Sequence, residues 1–334
     1  MPMKKVLLRS TLLTVCLLLL ATIALIGSWF MATAPPAAVV IEIEAGANLS
    51  QIAHRLEERG VLRSAMALKL LARLRHQSNA IHTGRYRFDG SSDPIEILAR
   101  LVSGDVEQAS LTIPEGFTLQ QIAERIGQQH LGDPKRFLVL SRDRSFLTSL
   151  GISAENLEGY LFPETYRFKP GIGEEALIRI MVQQLSSRLD DTTLKAAQKV
   201  KLNRHQLLTL ASIIEKETAQ VTEMPLISSV FHNRLERGIP LQTDPTVIYG
   251  IADFDGNLTR KHLSEPTPYN TYRIKGLPPG PIASPGLRAL QAAANPASTD
   301  FLYFVARGDG THAFSKTLSE HNRAVRRYQL KKAD

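Results

Sequence analysis

Cysteine is almost absent: the 334-residue chain holds one, Cys16, and it lies inside an apolar N-terminal run. Everything after that run has no thiol, so disulfides are excluded and stability must come from packing. Aromatic residues make up 6% with a single Trp, and no aromatic-basic signature of a nucleic-acid binder is present. His312 and His321 have no third ligand at a metal-like spacing, so neither a metal site nor a cofactor is expected. A nucleophile elbow and a Ser-x-x-Lys motif are also missing. Ser10, Ser284 and Ser315 lack the context that a serine or serine/lysine hydrolase acting on peptides requires.

Charge of either sign is missing between Arg9 and Glu42. Within that gap, Thr11 to Met31 reads TLLTVCLLLLATIALIGSWFM, long enough at about 1.5 Å per residue to cross a bilayer. Lys4, Lys5 and Arg9 precede it, which places residues 1–10 in the cytoplasm, 11–31 in the membrane and the remainder outside. A cleaved signal peptide would use Ala32-Thr33-Ala34 as its small-residue site. The run exceeds a signal core in length and Pro35 would follow the cut, so retention as an anchor is the expectation. Cys16 is a poor lipid-attachment site because apolar sequence continues past it.

What is present is otherwise ordinary globular composition, 43% hydrophobic and 22% charged, in a chain long enough for two folded units. The net charge of +8 suits an anionic partner such as a membrane surface or a cell wall.

After the linker 32–38, IEIEAGANLSQIAHRL from Ile41 is echoed by LTIPEGFTLQQIAERI from Leu111, with matches at Ile43/Ile113, Gly46/Gly116, Ile52/Ile122, Ala53/Ala123 and Arg55/Arg125. Each copy predicts a short strand, a turn at the glycine and a helix capped by Asn48 or Thr118. This strand-turn-helix resembles half of a LysM module. TGRYRF from Thr83 and PETYRF from Pro163 form a second, weaker echo of strand character. The expected organisation is a small module at 39–108 with helices over Ala65–Arg75 and Pro94–Leu101, a joining α+β segment at 109–154, and a larger domain at 155–334.

In the larger domain, helical patterns run over Glu174–Leu189, Arg204–Thr218 and Met224–Arg237. Turn-rich segments follow, LQTDPTVIYG and PTPYNTYRIKGLPPGPIASPG, then a strand candidate, FLYFVARGDG. The second helix contains LASIIEKETAQ, an apolar stretch with Glu215 and Glu217. At about 100° per residue these two carboxylates lie roughly 200° apart and flank different edges of the apolar face. One of them, turned into a cleft beside apolar neighbours, would become a proton donor near neutral pH. Both could equally be boundary residues in ion pairs, and the wheel alone does not choose.

ASIIEKET, VFHNRL, LQTDPTVIYG, PYNTY, GLPPGPI and FLYFVARGDGTHAFSKTLSEHN, in that order, resemble the signature series of the YceG-like (MltG) family of endolytic murein transglycosylases. The resemblance implies an α+β chain with an N-terminal transmembrane helix, a small LysM-like α+β module and a larger α+β catalytic domain. It implies cleavage of the β-1,4 bond between N-acetylmuramic acid and N-acetylglucosamine within nascent peptidoglycan, leaving 1,6-anhydro ends and setting strand length. It also implies the inner membrane of a bacterium as location, with the catalytic domain periplasmic, and wall synthases such as penicillin-binding proteins as partners. The competing expectation is a catalytically silent, membrane-anchored scaffold that binds peptidoglycan.

A distant likeness to other lytic transglycosylases, in which the acid glutamate precedes Ser or Thr, selects Glu217-Thr218 and makes Glu217 the general acid/base, with Glu215 as the alternative. Gln242, Thr243 and Asp244 are candidates to meet sugar hydroxyls or N-acetyl groups, although Asp244 before Pro245 is better suited to capping a helix. Tyr269, Asn270 and Tyr272 are candidates for a sugar-binding wall. In EGYLFPETYRF, Glu164 is a candidate carboxylate behind the site.

Overall fold

The computed structural model describes residues 2–330, with 2–12 as helical backbone alone. α1 (Pro2–Trp29) is one unbroken helix of 28 residues. Among the described residues no helix is long and apolar enough to cross a membrane. The expected cytoplasmic segment 1–10 and the start of the expected span lie outside the residues whose side chains are described.

Two compact units follow from the chain contacts, one running to Ala109 together with Phe168–Pro170, the other made of Ser110–Arg167 and Gly171 onward. In the first, β1 (Val39–Ile43) precedes α2 (Leu49–Glu58) and α3 (Ala65–Leu74), and β2 (Gly84–Phe88) leads into α4 (Pro94–Ser103). β1 and β2 pair antiparallel with Ile41 opposite Tyr86 and Val39 opposite Phe88. Strand alternation sends Ile41, Ile43, Tyr86 and Phe88 to one face, where they pack with Leu56, Leu68, Ile97 and Leu101. The helices start where their caps stand: Asn48 with Gln51, and Asp93 with Glu96, form reciprocal capping boxes.

The second unit begins with β3 (Ala109–Thr112), α5 (Leu119–Gln128), α6 (Pro134–Leu140), α7 (Arg144–Ser149) and β4 (Thr165–Phe168). β3 and β4 form a two-stranded sheet, as β1 and β2 do. Both sequence echoes are structural. Arg55 donates to the Glu42 carbonyl at 2.8 Å and Arg125 to the Thr112 carbonyl at 3.4 Å, each tying its helix to the strand before it. Tyr86 donates to the carbonyl of His82 and Tyr166 to that of Phe162, four residues back in each case. Gly46 and Gly116, at φ +86° and +74°, supply the left-handed turn that other residues rarely adopt.

Beyond β4 come α8 (Glu174–Arg188), α9 (Asp191–Lys199), α10 (Arg204–Glu217), α11 (Met224–Glu236), α12 (Asp244–Tyr249), α13 (Arg260–Ser264) and α14 (Leu287–Ala294). The chain closes with the hairpin β5 (Tyr303–Ala306) and β6 (His312–Ser315) and then α15 (Leu318–Tyr328). α10 packs against α9, α11, α12 and α14, and every residue from Leu207 to Ile214 is buried. With neighbours on all sides, the helix presents chemistry only at its C-terminal end, where Glu217 is the last helical residue.

Candidate active site

Glu217 opens onto a cleft of about 480 Å³ shared by α10, α11, the 241–244 segment, the β5–β6 hairpin and α15. One carboxyl oxygen, Oε1, accepts a hydrogen bond from the Thr243 hydroxyl. The side chain is half-buried, and desolvation pushes its carboxyl up to about 7. Asp244 adds to the rise by like-charge repulsion, while the Thr243 bond and the nearby His312 oppose it. A carboxyl of this kind holds a proton near neutrality and can release it to a leaving oxygen.

Thr243 is held in turn. Its N–H donates to the Thr271 hydroxyl at 3.0 Å, and Gln242 N–H donates to the Thr271 carbonyl at 3.1 Å. Gln242 sits at φ +54°, a left-handed conformation that is costly for a non-glycine residue. Its Oε1 accepts from Arg234 at 3.2 Å. Arg234 is buried and also donates to the carbonyls of Leu302, Pro240 and Leu241, with its guanidinium over the Tyr303 ring. That fork fixes the chain between α11 and α12 in the geometry that delivers Thr243.

Asp244 does not cap its helix. Thr243 holds the cap position of α12 without a side-chain cap bond; Asp244 is the first helical residue and its carboxylate accepts from Tyr272 Oη at 2.6 Å. Asp244 and Tyr272 both line the cleft beside Glu217. His312, which also lines the cleft, is set by Glu223, whose carboxylate accepts the His312 backbone N–H at 3.0 Å and Nδ1–H at 2.7 Å.

The other candidates disperse. Glu215 leaves the cleft: its Oε2 accepts the N–H of Gly286, the residue capping α14, at 2.9 Å. Its carboxyl is raised by burial first, with the Gly286 bond opposing and Glu115 adding to the shift. The two glutamates thus serve different surroundings, as their angular separation on the helix requires. Asn270 faces the protein interior. It is fully buried, with Nδ2 donating to the carbonyls of His262, Leu263 and Glu265 and Oδ1 accepting from Tyr272 N–H. Its amide therefore folds the loop that presents Tyr272. Tyr269 packs on Tyr249, ring centroids 4.9 Å apart, and lines a separate hollow with Tyr160 and His205. Glu164 pairs with Arg188 at 2.9 Å, and among the described residues no hydrogen bond or ion pair joins it to Glu217.

Glu223, Arg234, Tyr303 and His321 line or support the cleft without having been singled out for it in the sequence. In the sequence, His312 and His321 offer themselves only as metal ligands, and no third ligand accompanies them. For Glu223 no local signal exists, because its partner stands 89 positions away. Glu158 is a second buried carboxyl. It accepts from Leu119 N–H at the start of α5 and from Tyr249 Oη at 3.2 Å, and burial pushes it up to about 7.

Among the described residues no group of three His, Cys, Asp or Glu side chains could hold a metal ion. A larger hollow of about 760 Å³ opens at the other end of α10. None of the candidate residues lines it, and a proton donor matters more here than volume.

The YceG-like family model matches residues 41–327. The chain is 36% identical over 306 residues to an endolytic murein transglycosylase of Bacillus subtilis (strain 168), covering 87% of this chain and 84% of that protein. It is 32% identical over 322 residues to an endolytic murein transglycosylase of Streptococcus pneumoniae serotype 2 (strain D39 / NCTC 7466), covering 86% of this chain and 58% of that longer protein. A crystal structure of a yceG-like protein from Listeria monocytogenes superposes with a TM-score of 0.60 at 34% identity, covering 86% of this chain and 98% of that one.

Proposed function

The chain belongs to the YceG-like family, and from that membership and the cleft around Glu217 we propose that it is an endolytic murein transglycosylase. It cleaves the β-1,4 bond between N-acetylmuramic acid and N-acetylglucosamine inside peptidoglycan strands and leaves 1,6-anhydromuramic ends. The observation that carries this reading is a half-buried glutamic acid, raised to about 7, with one oxygen fixed by Thr243 and the carboxyl facing the cleft.

Glycosidases that use water need a pair of carboxyl groups, one as acid and one as nucleophile or base. Here the nucleophile belongs to the substrate. Glu217 protonates the bridging oxygen as the bond from C1 breaks, and the muramic C6 hydroxyl closes onto C1. The hydroxyl proton returns to the Glu217 carboxylate. Proton, oxygen and carbon then balance without water, and the glutamate ends the cycle protonated. Thr243 sets the carboxyl's direction, and the Asp244–Tyr272 pair supplies negative charge beside the positive charge that develops at C1. Gln242, exposed at the rim, meets sugar polar groups.

The charge-free apolar run in α1 serves as a single-pass anchor in the inner membrane with the N-terminus in the cytoplasm. Tethering raises the enzyme's local concentration near newly made strands. It places the enzyme beside wall synthases and lets it set strand length.

The test is mass spectrometry of uncrosslinked glycan strands incubated with the detergent-solubilised full chain, as wild type, Glu217→Gln and Glu215→Gln. Anhydromuramic ends from wild type and Glu215→Gln, and none from Glu217→Gln, are expected. Reducing ends would refute the intramolecular step, and intact strands from the wild type would refute the activity.

A further inference from the structure

α3 carries an exposed apolar stripe. Met66, Leu70 and Leu74 stand at i, i+4 and i+8, on one face of a helix, and are 52%, 40% and 70% exposed. The opposite face, with Ala65, Leu68, Leu71 and Ala72, is buried in the core of the first unit. Three large apolar side chains in water along one helix of a small module are a mark of an unfilled interaction surface.

The charge along the stripe is mainly positive; among the described residues the one carboxylate bonded to this helix is Glu57, which accepts the Ala65 N–H at 3.1 Å at its first turn. From Arg59 to His76 the sequence holds Arg59, Arg63, Lys69, Arg73 and Arg75 and no acidic residue. Elsewhere in this unit three arginines are paired: Arg85 with Glu107, Arg87 with Asp89 and Arg100 with Asp105. The cations flanking the stripe have no ion pair among the described residues. An apolar stripe edged by unpaired Lys and Arg fits the boundary of an anionic bilayer, where the apolar groups enter the acyl edge and the cations meet phosphates.

The turn at Gly60, ahead of α3, lies beside the chain leaving α1. Phe30 packs onto the core of the unit. Thr33 and Ser92 exchange two backbone hydrogen bonds, 3.1 and 2.9 Å. A Cβ placed on Gly60 would lie 3.8 Å from Pro36 and 4.0 Å from Pro35, which puts the residues just before Arg63 beside the linker. Four residue steps lead from Trp29 to Thr33, a reach of about 14 Å at most. The unit therefore has little slack from the end of α1.

We propose that α3 is an interfacial helix whose Met66, Leu70 and Leu74 insert at the surface of an anionic lipid bilayer while Arg63, Lys69, Arg73 and Arg75 bind lipid phosphates. This second contact rests on the reading of α1 as the anchor for its proximity to lipid. It holds the unit flat on the membrane instead of free above it.

The experiment uses the full chain with Cys16→Ser, reconstituted in nanodiscs of phosphatidylcholine with and without phosphatidylglycerol. A bimane label is attached at Leu70→Cys, Leu74→Cys or, as a control in the second unit, Lys195→Cys, and is quenched by nitroxide-bearing lipid. Labels at 70 and 74 are expected to be quenched well beyond the label at 195. The excess should grow with phosphatidylglycerol and fall to the control level in Lys69→Glu/Arg73→Glu. Quenching equal to the control would overturn the proposal. So would a label that is immobilised yet unquenched, because protein and not lipid would then cover the stripe. A chain that fails to enter the discs would refute α1 as the anchor, and the same labels with liposomes of the same composition would still decide the role of α3.

Discussion

Thr243→Val removes one hydroxyl from the site and keeps the shape of the side chain. In the wild type that hydroxyl donates to Glu217, and the bond holds the carboxyl below the value that burial alone would impose. A hydrogen bond to a charged group is worth roughly 1.5–3 kcal/mol, and a pKa unit is about 1.4 kcal/mol. Losing the bond should therefore raise Glu217 by on the order of 1–2 units above its value near 7. Because Glu217 must be protonated to act as the acid, activity falls as pH rises through its pKa. The alkaline limb for release of anhydromuramic ends is expected near pH 7 for the wild type. In the variant it should lie one to two units higher on the arithmetic above. Below both limbs the variant will be slower, since the carboxyl is less firmly aimed, but the position of the limb does not depend on that. The assay is initial rate against pH on defined glycan strands. A limb that stays put, or moves to lower pH, would refute the assignment of that limb to Glu217 held by Thr243.

Three further outcomes are expected. Glu158 is 3% exposed and raised from 4.5 to about 7. Between those values the unfolded chain releases a proton that the folded chain keeps, so stability falls as pH rises through that window, by about 3 kcal/mol from this group. Glu158→Gln should flatten the change in urea midpoint across the window, and an unchanged slope would contradict the burial argument. Arg234→Ala strands the carbonyls of Pro240, Leu241 and Leu302. It should cost about 3–5 kcal/mol by chemical denaturation, whereas Lys316→Ala, which breaks the exposed pair with Asp300, should stay within about 0.5 kcal/mol. Gly159 lies at φ +76°, and an added Cβ would come 2.4 Å from Pro281 Cβ. Gly159→Ala should cost about 2–5 kcal/mol, measured as a drop in urea midpoint; a loss under 1 kcal/mol would show that the Pro281 loop yields.

Much of the secondary structure was legible because its signals are local. α10 was expected over Arg204–Thr218 and is observed over Arg204–Glu217, and α3 was expected to Arg75 and ends at Leu74. Helical periodicity, an Asn or Thr cap and a Gln three residues later all act within one turn. The repeat was legible for the same reason: Arg55 and Arg125 each reach back to a strand 13 residues earlier. Asp244 was misjudged within that same local range, since Pro245 as a first-turn proline fits either Asp244 or Thr243 as the cap, and the observed cap is Thr243.

The sequence by itself determined that Glu215 and Glu217 could not share one environment, because two residues along a helix face away from each other. It did not determine what each would meet. Thr243 comes to Glu217 from 26 residues away and Gly286 comes to Glu215 from 71. Asn270 is a polar loop residue in sequence, yet the fold buries it against three carbonyls. Desolvation depends on which distant segments arrive around a group, and only the assembled chain brings them there.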